Sequence, residues 1–95
     1  MSGEPLTKTV VITNPRGLHL RPATKFAQVA LRFQSDVRVV RQGKSVNGKS
    51  PLEMVSMLSP EGTELTIEVA GPDAREALDA LVAVLEAPPP PEDEE

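Results

Sequence analysis

The chain contains a single histidine, His19, set in Arg16-Gly17-Leu18-His19-Leu20-Arg21-Pro22-Ala23-Thr24. Pro22 is welcome in the first turn of a helix, where its missing N–H has no partner in any case. That places His19 at or beside the N-cap, a position that favours Ser, Thr, Asp or Asn. Broken local rules gather at functional sites. A helix start presents unpaired amides and a partial positive charge, which together bind anions. Arg16 and Arg21 add guanidinium donors suited to phosphate, and Gly17 allows a tight turn and a close backbone approach to a ligand. An uncharged imidazole keeps a lone pair on one ring nitrogen. Beside such a cradle it can accept a phosphoryl group while amides and guanidinium hold the phosphoryl oxygens. The plain alternative is a surface histidine in a loop among solvated arginines. A Ser-His-Asp triad is disfavoured, because no nucleophile-elbow pattern is present.

A second candidate start is conventional. Ser50-Pro51-Leu52-Glu53 reads as a capping box, with Ser50 at N-cap, Pro51 at N1 and Glu53 at N3. Phosphate on Ser50 would displace that cap and change the local charge. Beyond it, Leu52, Met54, Val55, Met57 and Leu58 point in nearly every direction. A short helix on a sheet buries one stripe, so part of the set, Leu52 and Val55 first, is expected to stay exposed. That would form a protein-docking patch beside the site, or a neighbouring element covers it.

Positioning these residues needs a scaffold, and the hydrophobic periods supply one. Residues 6–13 (LTKTVVIT) read as a strand, 14–17 as a loop, and 20–33 as a helix with Ala23, Phe26, Ala27, Ala30 and Leu31 inward. Residues 37–41 and 44–47 form a hairpin about Gln42-Gly43. Residues 51–58 make a short helix and 64–70 (ELTIEVA) an alternating strand. A last helix starts at Asp73, with Ala74, Ala77, Leu78, Leu81, Val82 and Leu85 inward. The βαββαβα order implies an α+β domain of two layers, an antiparallel sheet with helices on one side. Strand order is not readable from this pattern. Residues 1–5 read as a loose start. Residues 87–95 (APPPPEDEE) read as a disordered tail, because the prolines stop the helix and the acids have nothing to bury.

Composition excludes other chemistries. The 95 residues hold no Cys, two Phe, no Trp and no Tyr. That removes disulfides, Cys-ligated zinc and thiol nucleophiles, suits a reducing compartment, and leaves little for base stacking on nucleic acid. One histidine is too few for a multi-His metal site. The longest apolar run, residues 80–85, is far too short to span a membrane, and no secretory signal is visible at the start. Charge is asymmetric: residues 1–50 carry nine Lys/Arg against two acids, and residues 51–95 one Arg against twelve acids. Arg16, Arg21, Lys25 and Lys49 belong to the two helix starts. They are expected to share one face around His19 and to meet acidic partners in salt-sensitive docking.

GLHLRPAT resembles the active-site signature of the HPr family of phosphocarrier proteins of the sugar phosphotransferase system. NGKSPLEMVSML resembles that family's serine-centred signature. The spacing of His19 and Ser50 and the element order also fit, over about residues 5–86. The resemblance implies an open-faced sandwich with sheet order 1-4-2-3 and three helices on one face. His19 would be phosphorylated at Nδ1 by phospho-enzyme I and would donate to an enzyme IIA. Arg21 would screen the phosphoryl group, and Pro22 would set the helix start. From their place at the two helix starts, Thr24, Lys25, Lys49, Leu52 and Val55 are expected to meet partners. Ser50 matches a serine that an ATP-dependent HPr kinase/phosphorylase modifies in some relatives, which leaves a regulatory binding module as the alternative function. Such a protein is a cytoplasmic, stoichiometric carrier without cofactor, monomeric by default, and no enzyme by itself. Leu20 departs from a family alanine, and Pro51 from a family Ile or Leu.

Overall fold

Alternation carries the sheet. In the computed structural model, which describes residues 4–87, β1 (Leu6–Val11), β2 (Asp36–Arg41), β3 (Lys44–Asn47) and β4 (Glu64–Ala70) form one antiparallel sheet in the order β1-β4-β2-β3. β4 is central, with Ile67 opposite Lys8 on one side and Val39 on the other. Leu65, Ile67 and Val69 are buried, and the intervening residues of β4 are not, which is the period-2 signature of a sheet covered on one face. Gln42 and Gly43, both at positive φ, turn the chain between β2 and β3 as a primed hairpin turn requires. Three helices cover the inner face: α1 (Leu20–Ala30), α2 (Pro51–Val55) and α3 (Ala74–Glu86). The fold is therefore the open-faced α+β sandwich that the sequence implies.

Several boundaries and faces differ from the sequence-based expectation. β1 stops at Val11, although Ile12 still exchanges backbone hydrogen bonds with Thr63 and Gly62. α1 stops at Ala30, where the chain tightens into i→i+3 bonds from Arg32 to Val29 and from Phe33 to Ala30. That tighter turn rotates Leu31 out to 64% exposure. Val29 is buried instead, because α1 packs on both α2 and α3 and so hides a wider stripe. Phe26 is fully buried and anchors α1; such a side chain contributes roughly 1.5–3 kcal/mol.

α2 is only five residues long and continues as a turn. Met54 and Met57 enter the core, and Val55 is half-buried against it rather than exposed. Leu52 and Leu58 are each 76% exposed. Leu58 turns outward because its backbone is left-handed, with φ of 54°. The two carbonyls left open there, of Met57 and Leu58, accept from the Arg41 guanidinium.

α3 begins differently from the other two helices. Asp73 is its N-cap but makes no side-chain bond to the helix's own amides. Its carboxylate accepts from the Gln34 amide, the Ser35 amide and the Ser35 hydroxyl, tying the start of α3 to the segment after α1. Val82 is half-buried, while the rest of the expected α3 stripe is buried. No helix among the described residues is long and apolar enough to cross a membrane. Residues 1–3 of the expected loose start and 88–95 of the expected tail lie outside the described residues.

Candidate functional site

The loop from β1 to α1 is built backbone first. The Asn14 carbonyl accepts from the Gly17 amide at 2.8 Å, and the Asn14 Oδ1 accepts from the Arg16 amide at 2.9 Å. Leu18 is buried and donates its amide to the Ser59 carbonyl at 2.8 Å. Gly17 has φ of +75°, and a Cβ there would lie 2.6 Å from the Ser59 carbonyl oxygen. Gly17 is thus required by close packing on the loop between α2 and β4. It lies directly against that backbone. Ser59, 4% exposed, is a supporting residue that the sequence did not single out, since nothing local marks a serine as the anchor of a distant loop.

His19 is the N-cap of α1, with extended backbone (φ −90°, ψ −170°) and its carbonyl accepting from the Ala23 amide. Its Nδ1 accepts from the Arg21 amide at 3.4 Å. A nitrogen that accepts an N–H presents its lone pair in that direction, so in the uncharged ring the proton resides on Nε2. The contact is long for a hydrogen bond, and the Nδ1 lone pair is engaged only lightly. Nδ1 therefore faces the amide-rich start of an eleven-residue helix whose first turn contains no acid. Pro22 sits within that first turn.

Around the ring, Arg16, Leu20, Arg21, Thr24 and Lys25 line an open concavity with His19. Leu20 is 54% exposed at its rim. The arrangement is a shallow, positively charged surface with one nitrogen nucleophile, suited to receiving an anionic group from another macromolecule rather than enclosing a small substrate.

Lys49 is not part of this surface. Its ammonium donates to the Phe33 carbonyl at 3.1 Å, just past the C-terminal end of α1. The expectation of one shared basic face holds for Arg16, Arg21 and Lys25 only. Ser50 is the N-cap of α2, its Oγ accepting from the Glu53 amide at 3.3 Å. The capping box is not reciprocal: Glu53 Oε1 accepts from the Asn47 amide, while the Ser50 amide donates to the Asn47 carbonyl. α2 leads from Ser50 toward the Ser59 segment that holds Leu18. The two helix starts accordingly lie at opposite ends of α2, with Leu52 and Val55 between them.

The family model for the PTS HPr component phosphorylation site matches residues 6–87. The chain belongs to the HPr family. Members are phosphocarrier proteins of the phosphotransferase system, with sugar transport and phosphohistidine as family properties. The phosphocarrier protein HPr of Vibrio cholerae is 40% identical over 79 residues, covering 83% of this chain and 93% of that protein. The crystal structure of HPr from Bacillus anthracis superposes with a TM-score of 0.81 at 39% identity, covering 86% of this chain and 98% of that one. The HPr relative Crh of Bacillus subtilis, a catabolite repression protein, superposes with a TM-score of 0.70 at 42% identity, covering 81% and 88%. Its crystal structure is described as a dimer with a swapped domain.

Proposed function

We propose that the protein is a histidine phosphocarrier that takes a phosphoryl group from phospho-enzyme I on His19 and passes it to enzyme IIA proteins. The observation that carries this reading is the orientation of the Nδ1 lone pair toward the amides at the start of α1. In the transfer, Nδ1 attacks phosphorus, the N–P bond forms, and the bond from phosphorus to the donor breaks. Nε2 keeps its proton throughout. The α1 amides and the Arg21 and Arg16 side chains offset the phosphoryl charge. Pro22 sets the helix start and Gly17 seats the loop. Thr24, Lys25, Leu20 and Leu52 offer a docking surface of mixed charge and apolar area.

Phosphoenolpyruvate and enzyme I should give an acid-labile adduct on the protein, lost in His19→Ala with the fold intact. An unmodified His19 under those conditions would sink the reading.

The likeness to Crh favours a second reading, a regulatory module controlled by phosphorylation at Ser50. It predicts an acid-stable adduct with ATP and an HPr kinase/phosphorylase, absent in Ser50→Ala. Pro51 weighs against it, since it removes a backbone N–H beside the target hydroxyl.

The functional unit is one domain over residues 6–86, with residues 1–5 and 87–95 as appendages. A monomer suits a carrier that must exchange one partner for another, in contrast to the swapped Crh dimer. Sedimentation at the concentration used for phosphotransfer checks this. The lack of cysteine suits the cytoplasm, where the proposed partners would meet it.

A further inference from the structure

The charge asymmetry of the chain acquires a geometry once the helices are placed. Residues 5–35 contain no Asp or Glu, and Arg16, Arg21 and Lys25 of that stretch line the His19 concavity. The strongest acidic run, Glu92-Asp93-Glu94-Glu95, follows Pro88–Pro91 after the end of α3. α3 starts where α1 ends, because Asp73 bonds Gln34 and Ser35. β1 leads into α1 and the antiparallel β4 leads into α3, and the two helices pack on one another. They therefore run in opposite directions, and α3 finishes at the end of the molecule that holds His19. Their lengths match, eleven residues against thirteen, or about 16 and 20 Å.

We infer that the acidic C-terminal segment Glu92–Glu95 docks on the basic concavity around His19 of its own chain and competes there with acidic partner surfaces. Packed helices lie about 8–10 Å apart. Four prolines in extended form reach roughly 12 Å, at about 3.1 Å per residue. Attachment holds the local concentration of the segment in the millimolar range, so a weak contact suffices. The contact joins charges of opposite sign, so salt weakens it. The competition rests on the phosphocarrier reading; the docking itself does not.

The chain has no native Cys, so Glu95→Cys accepts a single nitroxide spin label. In the full chain at low salt, amide signals of residues 16–28 should broaden selectively. The broadening should persist when labelled protein is diluted into unlabelled protein. It should be relieved by 0.5 M salt and by adding Glu92→Gln, Asp93→Asn and Glu94→Gln. Broadening spread evenly over the surface, or insensitive to salt, overturns the proposal. Loss on dilution also overturns it, since it marks a contact between copies.

In a second arm, without the label, the tail carrying Glu92→Gln, Asp93→Asn, Glu94→Gln and Glu95→Gln should accept phosphoryl groups from phospho-enzyme I about 3- to 10-fold faster than the native tail at low salt. At 0.5 M salt the two should be equal. Equal rates at low salt overturn the competition. If no form accepts phosphate, the phosphocarrier reading fails, while the relaxation measurement still decides the docking.

Discussion

The two helix starts marked by the sequence solve the same problem with opposite priorities. Ser50 at the start of α2 is a working cap: a hydroxyl accepts from the Glu53 amide, Pro51 occupies N1, and Glu53 puts an acid in the first turn. Each choice favours the helix locally. His19 at the start of α1 is a poor cap with a 3.4 Å contact, no acid in the first turn and cations around it. What α1 forgoes in local stability, it keeps as a histidine nitrogen at its first turn with a cluster of cations beside it. Tertiary packing makes up the difference, through fully buried Phe26 and through the Leu18 and Gly17 anchor on Ser59.

Substitutions at four positions would break or sharpen that contrast. The largest effect is expected at Arg21. Arg21→Ala should slow phosphoryl acceptance about 100-fold, the usual loss for one preorganised donor to a developing anion. Arg21→Lys should recover part of it, and neither should alter thermal stability much. A stability loss equal to that of a core variant would instead make Arg21 a structural residue.

Gly17→Ala comes next. With positive φ and a Cβ 2.6 Å from the Ser59 oxygen, it should destabilise by about 2 kcal/mol. Because the His19 loop must shift, it should also slow transfer. Chemical denaturation and single-turnover phosphorylation read the two separately.

Ser50→Ala should remove about 1 kcal/mol of stability and leave phosphoryl acceptance at His19 unchanged. Slower acceptance would show that the two starts are coupled across α2.

The smallest effect concerns the third helix start. The hydrogen bonds from the Ser35 hydroxyl, and then from the Gln34 amide, hold the Asp73 carboxyl below its ordinary value of 3.8. A carboxyl depressed on folding stabilises the fold above its unfolded pKa, and that contribution is lost as pH falls through the lower folded value. Asp73→Asn should therefore be less stable than the native protein at pH 7, with the gap closing in strong acid. A gap that stays constant from pH 7 to pH 2 would mean that the carboxylate charge does not contribute.

Much of the fold was legible because it is local. Alternation in residues 64–70 and the Gln42-Gly43 turn mark strand and hairpin without reference to the rest of the chain. The site was legible for the same reason, since Gly17, His19, Arg21 and Pro22 are contiguous and violate a local capping preference together. What escaped was long-range. Leu31 reads as core by period, and a tightened last turn puts it in solvent. Lys49 reads as a neighbour of His19, and its ammonium instead bonds to the Phe33 carbonyl. Asp73 reads as an ordinary cap, and its carboxylate ties two elements together.

Local sequence by itself determined the element types, the hairpin, the two helix starts and the place of the chain's one histidine at the first of them. These depend on φ/ψ preferences, hydrophobic period and capping chemistry within a few residues. Only the tertiary structure decided that β4 pairs between β1 and β2 and that Ser59 seats the His19 loop. It also decided that Ser50 lies at the far end of α2 and that α3 packs antiparallel to α1. Those outcomes follow from burying one face of a sheet under three helices at once, a constraint that no short stretch of sequence contains.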